Sequence, residues 1–229
     1  MSAEGRGPVS PRRDRDAVAT YRPLLFAAAR AIGRVLFPVL FRIHVRGAQH
    51  VPRAGAAILA GNHRGALDGP LVALYAPRRA RFIAKSELFT GAVARLLGAL
   101  GQIPIDRGRP DRRALRDALA VLASGNLLGM FPEGTRGTGD LASIQHGIGY
   151  VALRARCPIV PVACVGSERA LPKGARAPRW GSRVTVVFGP PFMLAPTDRP
   201  RTRAAVADAA EEIRAHLAAH VAGAEDAAR

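Results

Sequence analysis

The chain has 229 residues, of which 48% are hydrophobic, and carries a formal net charge of +17. Its length suits one domain with a substantial core, and its composition excludes a disordered or fibrous protein. The charge suits nucleic acid, an anionic membrane face or an anionic substrate, and by itself selects none of them.

Residues 1–20 are rich in Gly, Pro, Ser and charge, and are expected to form a disordered tail with no signal peptide. Residues 21–46 are expected to form an amphipathic, membrane-associating helical segment. Arg30, Arg34 and Pro38 interrupt its apolar run, so it lacks the roughly 18 consecutive apolar residues of a membrane span. At about 100° per residue, Arg22, Arg30 and Arg34 share one arc. Tyr21, Leu24, Leu25, Ala28, Ile32, Val35, Leu36 and Val39 cluster opposite them. Such a helix suits a membrane interface, with its arginines snorkelling into headgroups. The alternative is a helix packed on the domain's own core. Phe26 and Phe37 fall beside the arginines and spoil the segregation.

Residues 47–222 alternate short β-like runs with helical stretches. Ala56–Ala60, Arg81–Ala84, Gln102–Ile105, Leu127–Phe131, Ile159–Val165 and Val184–Phe188 read as strands. Several are continuously apolar, as in a sheet covered on both faces. Helices are predicted over Gly69–Ala76, Glu87–Leu100, Asp111–Ser124, Gly147–Arg156 and Thr202–Val221. Gly125-Asn126 supplies a C-terminal helix stop. The pattern predicts a single α/β domain, a mixed and mostly parallel β-sheet flanked by helices, with residues 223–229 frayed. Cys157 and Cys164 sit in no metal or redox spacing and read as reduced, buried small hydrophobes.

Two peptides carry chemistry. In Asn62-His63-Arg64-Gly65-Ala66-Leu67-Asp68, a turn between strand and helix can fold the Asp68 carboxylate back under the His63 imidazole. One ring nitrogen would then be held by the carboxylate and the other left to take a proton. The plainer alternative is that Asp68 caps a helix beside an ordinary loop histidine. In Phe131-Pro132-Glu133-Gly134-Thr135-Arg136, a strand end is followed by a proline turn, a glycine, a hydroxyl and a guanidinium able to grip phosphate through two parallel hydrogen bonds. Glu133 suits acceptor hydroxyls, or the orientation of Arg136. Lys85, at a strand end, and Arg107, after Gly101 to Asp106, offer further cations. Pro161 interrupts the ladder of a buried strand.

Together these blocks resemble the glycerolipid acyltransferase family, specifically the bacterial 1-acyl-glycerol-3-phosphate acyltransferases. The resemblance covers about Gly47 to Gly189 and rests on Asn62-His63 with Asp68, Gly101 to Arg107, Phe131 to Arg136, and Val160-Pro161-Val162, in that order. It implies that His63 is the general base and Asp68 its orienting partner. It also implies that Glu133, Gly134, Thr135 and Arg136 bind the acceptor, with Lys85 and Arg107 on its phosphate, and that Pro161 shapes the acyl-donor side. The chain departs from the family in having Gly137 where serine is common, and Gln145-His146-Gly147 where lysines are frequent.

The activity implied is direct acyl transfer from acyl-CoA or acyl carrier protein to a lysophospholipid, with neither metal nor resident cofactor. The setting implied is the cytoplasmic face of a membrane, peripheral or monotopic. A lyso-aminolipid, a glycolipid or glycerol phosphate remains an alternative acceptor. An inactive membrane scaffold is disfavoured by the intact His63 and Asp68. With only 5% aromatic residues, nucleic acid is not expected as a partner.

Overall fold

The computed structural model describes residues 21–106, 111–134, 141, 144–175, 177–196 and 202–228. The tail expected over residues 1–20 lies outside them. Helix α1 (Pro23–Leu40) starts with proline, whose fixed φ suits a first turn, and leads into strand β1 (Arg42–Arg46). The order continues β2 (Ala57–Gly61), α2 (Asp68–Tyr75), β3 (Ala80–Lys85), α3 (Gly91–Ala99), β4 (Ile103–Ile105) and α4 (Arg112–Ala123). It ends β5 (Leu127–Met130), α5 (Gly147–Ala155), β6 (Ile159–Val165), α6 (Ser167–Ala170), β7 (Arg183–Phe188) and α7 (Arg203–Asp226).

The strands form one seven-stranded sheet in the order β1-β7-β6-β2-β5-β3-β4. β7 is antiparallel to β6 and parallel to β1, so these two edge-side strands oppose the other five. Side chains alternate across the sheet. Ile58 and Ala60 of β2 join a core roofed by α4, α5 and α7, whereas Ala57 and Leu59 face the layer of α2 and the end of α1. The central strands β2 and β5 are buried at every position, which explains their unbroken apolar sequence.

Three expectations change. Residues 21–46 are not one helix: Arg42-Ile43-His44-Val45-Arg46 alternates exposed and half-buried positions and pairs in register with Arg183–Val187. That alternation is a strand signal, and it was masked by the apolar helix before it. The helix expected over 87–100 is a 3-10 turn at Ser86–Leu88 followed by α3, which starts at Gly91 with φ of +52°. The fraying expected over residues 223–229 does not begin at 223, because α7 runs to Asp226 with Val221 and Ala224 still buried.

Candidate active site

The site lies where β2, β3, β5 and β6 end, at the carboxyl edge of the parallel strands, where an open α/β sheet leaves a crevice. Beyond Gly61, the fully buried Asn62 extends the β2–β6 ladder with its side chain. Its Oδ1 accepts from the Cys164 N–H at 2.8 Å, and its Nδ2 donates to the Cys164 carbonyl at 3.1 Å. A side-chain amide thus replaces a peptide unit in the ladder, and the main chain is free to turn away. The next residue is His63.

The turn brings Asp68 under the ring. His63 Nδ1 lies 3.0 Å from Asp68 Oδ2, and the same oxygen accepts the Gly65 N–H at 2.8 Å. An ionised carboxylate is an acceptor only, so Nδ1 carries the proton and Nε2 is left as the basic nitrogen. Asp68 is completely buried and the His63 side chain is 17% exposed. Asp68 is the first residue of α2, but its carboxylate serves His63 and Gly65, and no side chain caps that helix. The capping alternative is thereby set aside. Gly65 is tightly packed: a Cβ there would sit 2.8 Å from Ser167 Oγ and 2.9 Å from the Ser167 carbonyl carbon.

The chain after β5 closes the other side. Phe131 stacks on the His63 ring with centroids 4.6 Å apart, and Phe82 stacks behind it at 5.6 Å. Glu133 Oε1 accepts the His63 backbone N–H at 2.8 Å, a tie that fixes His63 through its main chain. This hydrogen bond was not foreseen for Glu133 and has no signature in the spacing of the two peptides. Gly134 adopts φ of +71°, and a Cβ there would meet the Gln145 side chain at 3.0 Å. The glycine therefore serves the packing of this turn on Gln145, whose N–H donates to the Pro132 carbonyl at 2.7 Å.

His63 is part of the wall of a cavity of about 540 Å³, within the usual range for small-ligand sites. α1 contributes Phe26, Ala29, Arg30, Gly33 and Phe37 to its lining; Leu88, Leu97 and Leu100 face it from around α3, and Lys85 stands at the end of β3. The lining is mostly apolar, so the cavity suits a hydrocarbon chain. Pro161 lies elsewhere, within β6 beside Ala60 and with its ring against Gly189, and does not line this cavity. Arg107, Thr135 and Arg136 lie outside the described residues.

The arginines of α1 are tied to the domain through their Nε atoms. Arg30 and Arg34 both donate through Nε to the Leu74 carbonyl, at 3.1 and 3.0 Å, and Arg30 also reaches the Ala76 carbonyl. They bind the C-terminal end of α2, where the helix dipole is negative. Phe26 and Phe37 lie beside them because that side of α1 faces the domain. Burial, then the neighbouring Arg34, pushes the Arg30 guanidinium below its ordinary pKa. Burial also pushes the Cys157 thiol up to about 11 and Cys164 well above its usual value, so neither supplies a thiolate near neutral pH.

Fold and site together define an α/β protein with a histidine, paired to a buried carboxylate, facing an apolar cavity. The model of the acyltransferase family matches residues 42–165, and the chain belongs to that family. It is 33% identical to an uncharacterised protein of Mycobacterium tuberculosis over 162 residues, 64% of this chain and 43% of that one. It is 32% identical to the 1-acyl-sn-glycerol-3-phosphate acyltransferase of Limnanthes alba over 165 residues, 70% of this chain and 58% of the relative. The chain therefore spans about half the length of these relatives. Its fold is similar to the crystal structure of the 1-acyl-sn-glycerophosphate acyltransferase of Thermotoga maritima, with a TM-score of 0.65 at 23% identity, covering 87% of this chain and 79% of that one.

Proposed function

We propose that this chain transfers a fatty acyl group from acyl-CoA or acyl carrier protein to the free hydroxyl of 1-acyl-glycerol-3-phosphate, giving phosphatidate. The observation that carries this is the His63–Asp68 pair, with Nδ1 committed to the carboxylate and the imidazole in the wall of an apolar cavity. Nε2 takes the hydroxyl proton and the alkoxide oxygen attacks the thioester carbonyl. The new C–O bond forms, the C–S bond breaks, and the thiolate leaves and recovers the proton from the imidazolium. Asp68 stabilises that imidazolium and holds its tautomer. The scheme needs neither metal nor resident cofactor.

The cavity takes an acyl chain, and Lys85, Arg107, Thr135 and Arg136 take the acceptor's phosphate, with Arg136 as the bidentate group. Glu133 and Gly134 act on the acceptor through the shape of their turn and through the Glu133 tie to His63. Pro161 supports the strand beside the donor side. An acceptor with a long acyl chain sits in a bilayer, so the protein works at the cytoplasmic membrane face, peripheral or monotopic. The many arginines favour anionic lipids there.

The test is thiol release from acyl-CoA with a panel of acceptors. Release with lysophosphatidate is expected, and His63→Ala should lower it by roughly 10²–10⁴-fold. Release with another acceptor and none with lysophosphatidate would overturn the assignment. Arg136→Ala should hurt phosphorylated acceptors more than neutral ones; equal losses would remove the phosphate clamp.

A further inference from the structure

Among the described residues, the turn that carries His63 borders two cavities. His63 lines the apolar one, whereas Arg64, the next residue, is not in that lining and faces a second, polar hollow of about 430 Å³. The hollow is walled by Val165, Glu168 and Arg169 from the end of β6 and α6, and by Glu225 from the end of α7. There Arg64 Nη2 forms an ion pair with Glu225 Oε1, and the two side chains are 21% and 28% exposed. Arg64 Nε is buried without a partner among the described residues, so Glu225 is the group that fixes this guanidinium.

The ion pair reaches the His63–Asp68 pair through the main chain. Arg64 lies between His63 and the Gly65 N–H, and that N–H donates to Asp68 Oδ2, the oxygen that also holds His63 Nδ1. The backbone angles of Arg64 therefore set both the place of the imidazole and the aim of the donor on its carboxylate. The neighbours of Arg64 are already held: Glu133 binds the His63 N–H, and the fully buried Ser167 packs directly behind Gly65. We propose that Arg64 and Glu225 are positioning residues, through which the last turn of α7 fixes the Arg64 backbone and so keeps His63 in its Nδ1–H tautomer toward the apolar cavity. This rests on the general-base reading of His63 given above. Removing Glu225 leaves a half-buried guanidinium without its counterion, a larger penalty than losing an exposed pair. Glu168, in the same hollow, is then the carboxylate toward which Arg64 turns, and the backbone beside His63 turns with it. The Glu211–Arg214 pair lies on the same helix but is more exposed at Glu211 and lines neither cavity, so it serves as a control.

The test compares Glu225→Gln, Arg64→Gln, the double variant and Glu211→Gln with the wild type, each as the full chain. With acyl-CoA and lysophosphatidate, each of the first two should lower kcat about tenfold at unchanged KM, the scale of a sub-ångström misplacement. The double variant should lose no more than either single one, because both remove the same contact. Glu211→Gln should keep the wild-type kcat. Labelling histidine with nitrogen-15 gives a second reading by NMR. The ring nitrogens of His63, assigned by their loss in His63→Ala, should report one tautomer in the wild type and a mixture in Glu225→Gln. Wild-type kcat in both single variants, or losses that multiply in the double variant, would overturn the proposal. A raised KM with kcat intact would also overturn it, by placing Arg64 on the substrate. So would a lowered melting temperature with kcat per folded molecule unchanged, which makes the pair structural only. If the wild type releases no thiol with any acceptor, the acyl-transfer reading fails and the tautomer decides alone. A mixture appearing only on substitution then upholds the positioning role, and the same tautomer state in wild type and variant removes it.

Discussion

α1 and α7 lie on opposite faces of the same sheet, and they use their apolar residues in opposite ways. α7 buries Ala209, Ala210, Ile213, Leu217, Val221 and Ala224 in the core and turns the Glu211–Arg214 pair to water. α1 buries only Phe26 and Gly33, holds its arginines inward on carbonyls, and presents its large aliphatic residues outward. In one helix the apolar stripe is consumed by the fold. In the other it is left over, and apolar area left in water is what a second apolar phase can remove. The starts differ likewise: Thr202 Oγ accepts the Ala205 N–H at 3.1 Å to cap α7, whereas no side chain caps α1 and the backbone of Arg22 leans on α3 instead.

Substitutions can break this contrast. Leu217→Ala should cost about 2–5 kcal/mol in urea unfolding, since Leu217 is 1% exposed, and should leave vesicle binding unchanged. A cost below about 1 kcal/mol would mean that α7 is not packed as described. Arg30→Ala should cost about 1.5–3 kcal/mol by freeing the Ala76 carbonyl and leaving the Leu74 carbonyl to Arg34 alone. If it instead weakened vesicle binding with no loss of stability, the arginine would be acting on headgroups. Thr202→Ala should cost about 1 kcal/mol, read from the same urea curves, and a neutral result would deny the cap. Val35→Ser should move stability in water by no more than about 0.5 kcal/mol, because Val35 is 71% exposed, while lowering vesicle affinity. A large destabilisation would show that this face of α1 is packed.

Much of the site was legible because its parts are local. His63 and Asp68 share one strand-to-helix turn, so the five-residue separation contained most of their geometry, and the pair does meet. The Phe131–Arg136 peptide was legible as a strand end followed by a proline turn. Its use was not, because the Glu133 bond to the His63 N–H joins residues seventy positions apart. Asn62 is a similar case, since its partner Cys164 lies on β6 and nothing near Asn62 announces it. The buried strands were found from their apolar runs, whereas β1 was missed because an edge strand has only half the apolar signal.

The sequence alone determined the α/β alternation, the run of buried strands, the meeting of His63 with Asp68, and an amphipathic helix near the start. These follow from short-range rules: side-chain period, turn chemistry and hydrogen-bonding type over a few residues. Tertiary structure alone decided which side of α1 turns inward, that its arginines hold α2, and that its two ends are tied to α3 and to the loop at Gly181. An apolar stripe and an arginine stripe read the same whichever side faces the domain. What chooses is the pairing of buried carbonyls with donors, and those carbonyls belong to a helix some forty residues further along the chain.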